Sequence, residues 1–398
     1  MPRTHWTSSI VAALLVAIFA ATAARADDVT AAISGGTLTL KGDADPNTLT
    51  LDQVGLTTTQ VRVTGTTTTI NGAPGPIVFD GFTGGLQADL GGGDDSLTVD
   101  SLSVAGAVKI KTGAGADTVA ITTSLFGNAV SIDLGAGDNI LQFCGGSVDA
   151  GLTMKVGAGT GTLRSATCST FTANANGSAL VIDAVAITKG LTLKGSKTSE
   201  NVILHNLAIG TKSTLTLGGG ADALAVCGNA IGAALDIKMG NGTTGTIVAA
   251  SCGVASTASG ENALDIDGCA IGSKLTAKMG GSADAVLMKG DAIGEAAKLD
   301  LGQGANSLAM DGSAVGTSLG VKSGKGGDTV QITNDGIGES LGISAGDGNN
   351  TVDVLTTNIG KNLTVKTGKN DDTIDVSSAT VTGSTTIKSG KGSDTVTQ

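Results

Sequence analysis

Carboxylate and carboxamide side chains recur in this chain at a fixed step. Asp284, Asn306, Asp328, Asn350, Asp372 and Asp394 stand 22 residues apart, and Asp95, Asp117 and Asn139 keep the same step nearer the other end. Each follows a glycine by four residues, as Asp328 follows Gly324 and Asp95 follows Gly91. Oxygens repeated in this way allow two chemistries. Asp and Asn bond their own backbone and tolerate unusual dihedral angles, which suits turns. Stacked carboxylates alternatively gather a cation, because like charges repel unless Asn dilutes them or positive charge enters. A second reactive set is the cysteines, Cys144, Cys168, Cys227, Cys252 and Cys269, none in a Cys-x-x-Cys spacing. His205 stands alone in the strand-like Val202-Ile-Leu-His205. No nucleophile–base pair, zinc spacing or phosphate loop appears, and Gly218-Gly-Gly220 follows a strand but opens no helix.

The elements that carry these residues follow from the same period. Leu319-Gly-Val321 alternates apolar and small residues as a strand does, Ser323 to Asp328 forms a glycine-rich corner, and Val330-Gln-Ile332 is a second strand. Asn334-Asp335-Gly336 turns again, Ile337 makes a third apolar contact, and Leu341 opens the next unit. A strict period of this size is the signature of a solenoid whose coils pack on their neighbours. The expected fold is an all-β, right-handed parallel β-helix of about 15 rungs, over residues 85–398. Residues 27–84 break the period but alternate as strands, and read as an N-terminal β cap. Two rungs, after Gly157 and Gly240, read as short and bent. They resemble each other at an offset of 84 residues, Thr160-Gly-Thr-Leu163 against Thr244-Gly-Thr-Ile247. The last rung, Thr385 to Gln398, presents a strand edge and suggests self-association or fraying.

Rung coordinates place the cysteines at one corner. Equivalent Cα atoms on adjacent rungs lie roughly 4.8 Å apart, within the span a disulfide accepts. Rung-to-rung bridges Cys144–Cys168 and Cys227–Cys252 are expected, with Cys269 unpaired. Cys252–Cys269 competes with the second bridge, and five small apolar thiols are the alternative to both.

The corner stretches Leu90-Gly-Gly-Gly-Asp-Asp95-Ser-Leu97 and Ser323-Gly-Lys-Gly-Gly-Asp328-Thr-Val330 resemble the hemolysin-type (RTX) calcium-binding repeat. The chain also resembles secreted bacterial β-helix repeat proteins. The resemblance implies Ca²⁺ held by Asp95, Asp117, Asp328, Asp372 and Asp394 with backbone carbonyls, and less cleanly by Asp222 and Asp284. The pattern departs from the family: Leu, Thr or Ser replaces its first glycine, and one corner recurs per turn instead of two.

Arg3 and His5, an apolar run from Ile10 to about Thr22, and Ala24-Arg25-Ala26 read as a secretory signal ending at residue 26. Export would place the cysteines in an oxidising compartment, outside the cell, on its surface or in the periplasm. No stretch is long enough for a membrane span. The formal charge of −11 becomes −13 once Arg3 and Arg25 are removed, which disfavours nucleic acid. Lys322, Lys366 and Lys388 share an outward strand position with Asp300; they read as a solvated face, or as a contact for acidic envelope or extracellular glycans. The expected function is a secreted or surface structural or adhesive rod without catalysis. A calcium-binding β-roll-like module is the alternative, and a polysaccharide-active β-helix enzyme the third choice.

Overall fold

The computed structural model describes residues 28–242, 250–253 and 261–398. The expected signal segment, 1–26, and Thr244-Gly-Thr-Ile247 lie outside the described residues. Every regular element among those described is a strand.

One coil shows how the sequence makes the fold. Leu319–Ser323 forms the first face, Thr329–Thr333 the second and Gly336–Ile337 the third. Leu319, Val321, Val330, Ile332 and Ile337 turn inward and are buried, while Lys322 and Gln331 point out. Alternation therefore assigns each side chain to core or solvent. The next coil repeats this in register: Leu319 pairs with Leu341 and Val321 with Ile343, and these pair in turn with Leu363 and Val365. The strands are parallel, so each backbone bonds the coils before and after it.

The corner requires glycine for space. At Gly346 a Cβ would lie 1.7 Å from the carbonyl oxygen of Gly324. The stacked corners approach backbone to backbone, and only hydrogen fits between them.

The first face carries 14 consecutive parallel strands, from Thr37–Lys41 to Thr385–Lys388. At roughly 4.8 Å per strand the stack is about 60 Å long. The count corrects the expected 15 rungs in two places. Ile140 pairs directly with Ala179, and Gly177 and Ser178 already pair with Ser199 and Glu200, so the segment from Thr160 to Asn176 is an excursion from one coil and not a rung of its own. Leu163–Cys168 there folds antiparallel onto Phe171–Ile187 as a hairpin. Leu235 likewise pairs directly with Leu275, and Ala223 with Ala263, so the described strands on either side belong to consecutive coils; the rung expected near residue 258 falls outside the described residues and adds no strand to either face.

The stack also begins earlier than the period suggests. Leu38 pairs with Leu86 and Leu49 with Leu97, both in parallel, so residues 37–52 are a first coil. Asp28–Ser34 lies antiparallel on that coil's first strand, and Gln60–Gly65 on its second. These strands cover the starting edge of the rod.

A continuous apolar core fills the coils. A second, smaller core lies outside the second face. There Ala166, Cys168 and Ala173 of the hairpin pack on Val181, Ile203, Ala225 and Cys227, which the small-residue composition of the hairpin permits.

Candidate functional site

The Asp and Asn column lies inside the first corner. Asp95, Asp117, Asp328 and Asp372 are buried, and Asp394 is half-buried. One oxygen of each accepts the backbone N–H of the equivalent residue one coil earlier. Asn47 donates to Asp95 at 2.8 Å, Asp95 to Asp117 at 2.9 Å, and Asn306 to Asp328 at 2.9 Å. Asn350 donates to Asp372 at 2.9 Å and Asp372 to Asp394 at 3.0 Å. The expected residues are thus aligned in one column, and each satisfies an amide that the corner leaves without a ladder partner. Sequence reading missed Ser178 and Glu200 as members of this column.

The second oxygens are different. Oδ2 of Asp95, Asp117, Asp328 and Asp372 is buried without a hydrogen-bond partner. The neighbouring Asn residues show what that position wants. Nδ2 of Asn350 donates to Gly346 O at 3.2 Å, Gly348 O at 2.8 Å and Asp372 Oδ1 at 2.9 Å. The arm of the column therefore faces carbonyls and calls for a donor or a positive charge. Burial pushes Asp95 up to about 7 and Asp284 up to about 6, and raises Asp117. Burial and the mutual repulsion of carboxylates on consecutive coils raise Asp222 beside Glu200.

A second ladder occupies the corner between the second and third faces. Leu207 N–H donates to Asn229 Oδ1 at 2.7 Å, Cys269 N–H to Asp291 Oδ1 at 2.8 Å, and Ser313 N–H to Asp335 Oδ1 at 2.6 Å. Side chains with a donor return it to the preceding strand: Asn229 Nδ2 to Leu204 O at 2.8 Å and Thr357 Oγ1 to Ile332 O at 3.2 Å. Asp291 and Asp335 carry no such donor when ionised, and their Oδ2 atoms have no partner. Burial pushes Asp291 up to about 8 and Asp335 up to about 6.

Two disulfides are present, Cys144–Cys168 with Cα atoms 5.5 Å apart and Cys227–Cys252 at 5.4 Å. The pairing is the expected one, but its geometry is not rung to rung. Cys144 lies on the second face and Cys168 on the hairpin above it, so the bridge ties an excursion to the rod. Cys269 is free and buried, its Sγ 3.1 Å from Val226 O. Burial, aided by the charge of Asp291, pushes its thiol up to about 12.

His205 is less isolated than its sequence neighbourhood suggests. Register sets it beside Asp183, with Nδ1 2.7 Å from Asp183 Oδ1, and Phe171 of the hairpin stacks on its ring at 3.9 Å. This pair braces the hairpin against the second face. Asp138 holds the hairpin's start: it accepts Thr160 Oγ1 at 2.6 Å and the amides of Thr162 at 2.8 Å and Thr160 at 2.9 Å. Burial opposes ionisation there, but these donors outweigh it and hold Asp138 down to about 2.

Charge is sorted between the faces. From Leu152 onward, the first-face strands carry eight lysines and two aspartates. From Phe171 onward, the second-face strands carry eight acids and one lysine, Lys289. The third face presents Ala and Gly along a shallow open trough of about 1140 Å³, floored by residues such as Ile209, Ile293 and Ile337.

Among the described residues, no three His, Cys, Asp or Glu side chains converge as a cation cage, and no helix is long and apolar enough to cross a membrane. No family model matches the chain, and neither a curated protein nor a solved structure shows significant similarity to it.

Proposed function

We propose that this chain is an exported, non-catalytic β-solenoid that acts as a structural or adhesive rod. The observation that carries this reading is the use to which the acidic column is put. Asp95, Asp117, Asp328, Asp372 and Asp394 each spend an oxygen on a backbone amide of the coil stack, and all but the half-buried Asp394 do so where a solvent-borne substrate has no access. What the rod offers outward is three long, regular faces, the geometry by which solenoids bind along their length. The reading is tested by incubating the protein with a panel of neutral and acidic polysaccharides and by fractionating cells that express it. Binding or envelope association without release of reducing ends supports the rod; turnover abolished by His205→Ala or Asp183→Ala would replace it with an enzyme.

A calcium-bearing form is the second reading, favoured by the unpartnered Oδ2 atoms of Asp95, Asp117, Asp328 and Asp372. Ca²⁺ prefers six to eight oxygen ligands, and corner carbonyls could add to the carboxylates. Titrating Ca²⁺ into EDTA-treated protein decides it. A rise in melting temperature that Asp328→Asn and Asp372→Asn diminish supports calcium, and an unchanged melt removes it.

A further inference from the structure

From Leu152 onward, seven of the eight first-face lysines lie in one outward column, and Lys298 stands in the neighbouring one beside Thr276. Register runs Lys155, Lys194, Thr216, Lys238, Lys278, Asp300, Lys322, Ser344, Lys366 and Lys388 on ten successive strands. Three steps of this column set lysine directly beside lysine: 155 with 194, 238 with 278, and 366 with 388. Like charges at directly paired positions destabilise a sheet. Lys194, Lys238, Lys278, Lys322, Lys366 and Lys388 are exposed, and none makes an ion pair among the described residues. Contrast the flanking turn, where Lys212, Lys274 and Lys361 do find acids.

Edge protection does not account for the column. Lysine guards unpaired strand edges, and these strands are paired on both sides except the last. Solubility does not account for it either, since a chain of net charge −11 gains nothing from gathering its lysines on one side. A ligand with its own repeated negative charge does. The column repeats every roughly 4.8 Å along a straight line, a length comparable to the advance of one sugar in an extended glycan. The neighbouring outward column supplies Thr192, Thr214, Thr276 and Thr364, whose hydroxyls suit a polyhydroxylated chain.

We infer that the first face is the docking surface for an extended acidic polysaccharide, laid along the rod with its carboxylates over the lysine column. This rests on the rod reading and names the partner class. Single-stranded nucleic acid is the disfavoured occupant, because no aromatic residue stands on this face to stack a base. Nor does the face carry Arg.

The test is binding of the full chain to immobilised polygalacturonate at low and at moderate salt, with dextran and single-stranded DNA as comparison ligands. Two triple variants carry the same charge change: Lys238→Gln with Lys278→Gln and Lys322→Gln, and Lys212→Gln with Lys274→Gln and Lys361→Gln. The expected result is salt-sensitive binding to polygalacturonate and none to dextran. The first triple should weaken it at least tenfold and the second less than twofold, with both variants retaining the wild-type melt. Equal losses in the two triples would reduce the effect to net charge and overturn the docking face. DNA bound as tightly as polygalacturonate, or absence of binding to every polyanion, would overturn it too. Cleavage of the polymer, read as released reducing ends, would sink the non-catalytic reading while leaving the docking face standing.

Discussion

Replacing Asp291 by Asn should stabilise this protein, and more so as pH rises. Asp291 Oδ1 accepts the Cys269 amide at 2.8 Å, a role that Asn keeps. Its Oδ2 is buried without a partner, at a position where Asn229 donates to a strand carbonyl at 2.8 Å. Burial, reinforced by the charges of Asp267 and Asp265, pushes Asp291 from 3.8 up to about 8. The folded state therefore holds a proton that the unfolded chain releases near its ordinary value. Stability tied to that proton is complete below about pH 4 and is lost as pH rises toward about 8. At about 1.36 kcal/mol per pKa unit the loss has a ceiling of about 6 kcal/mol. Water entry and relaxation bring the expected gain for Asp291→Asn to about 1–3 kcal/mol at pH 9, the cost of one unsatisfied buried group. Denaturant midpoints from pH 4.5 to 9 measure it. The wild type should weaken across that range and the variant should weaken less. A gain of equal size at both ends, or a variant less stable than wild type at pH 9, would refute the donor-slot argument.

Gly346→Ala places its Cβ 1.7 Å from Gly324 O, and should cost at least about 2 kcal/mol by forcing two coils apart; thermal melts read this directly. Asp138, held down to about 2, lends the hairpin stability that is present above about pH 4 and is lost as pH falls toward 2, on the order of 1 kcal/mol after solvent screening, and hydrogen exchange of residues 163–176 at pH 5 and pH 2 should show it. Cys168→Ser opens a loop of 24-residue separation; it should cost about 3 kcal/mol and expose the hairpin to proteolysis while the flanking coils stay protected. Cys269, buried with its thiol pushed up to about 12, should react with thiol reagents only on unfolding, measured as labelling rate against denaturant.

The coil itself was legible because its information is one-dimensional. Leu319, Leu341 and Leu363 recur at the pairing offset, so a column in the sequence is a column in space. The hairpin over Leu163 to Asn176 was not legible, for its strands alternate like those of a short rung; only the pairing of Ile140 with Ala179 exposes it. The cysteine pairs emerged from spacing although their partners sit on an excursion, since a hairpin laid over a strand brings Cα atoms about as close as a neighbouring rung does. Asp328 and Asn350 looked interchangeable as turn residues. Their difference lies in which carbonyls face the second arm, and side-chain direction is absent from a period. The sorting of lysines onto one face was within reach of strand alternation, because Lys322, Lys366 and Lys388 fall at one outward position.

The two bridges also set how the rod answers to tension. A solenoid pulled at its ends unravels coil by coil, since each coil is held only by its neighbours. The residues enclosed by Cys144–Cys168 and Cys227–Cys252 cannot pay out, because force passes through sulfur and bypasses them. Each enclosed loop would otherwise add about 80 Å at full extension. The oxidised rod therefore has less slack than its length implies, and a reducing environment would lengthen its reach without breaking the chain.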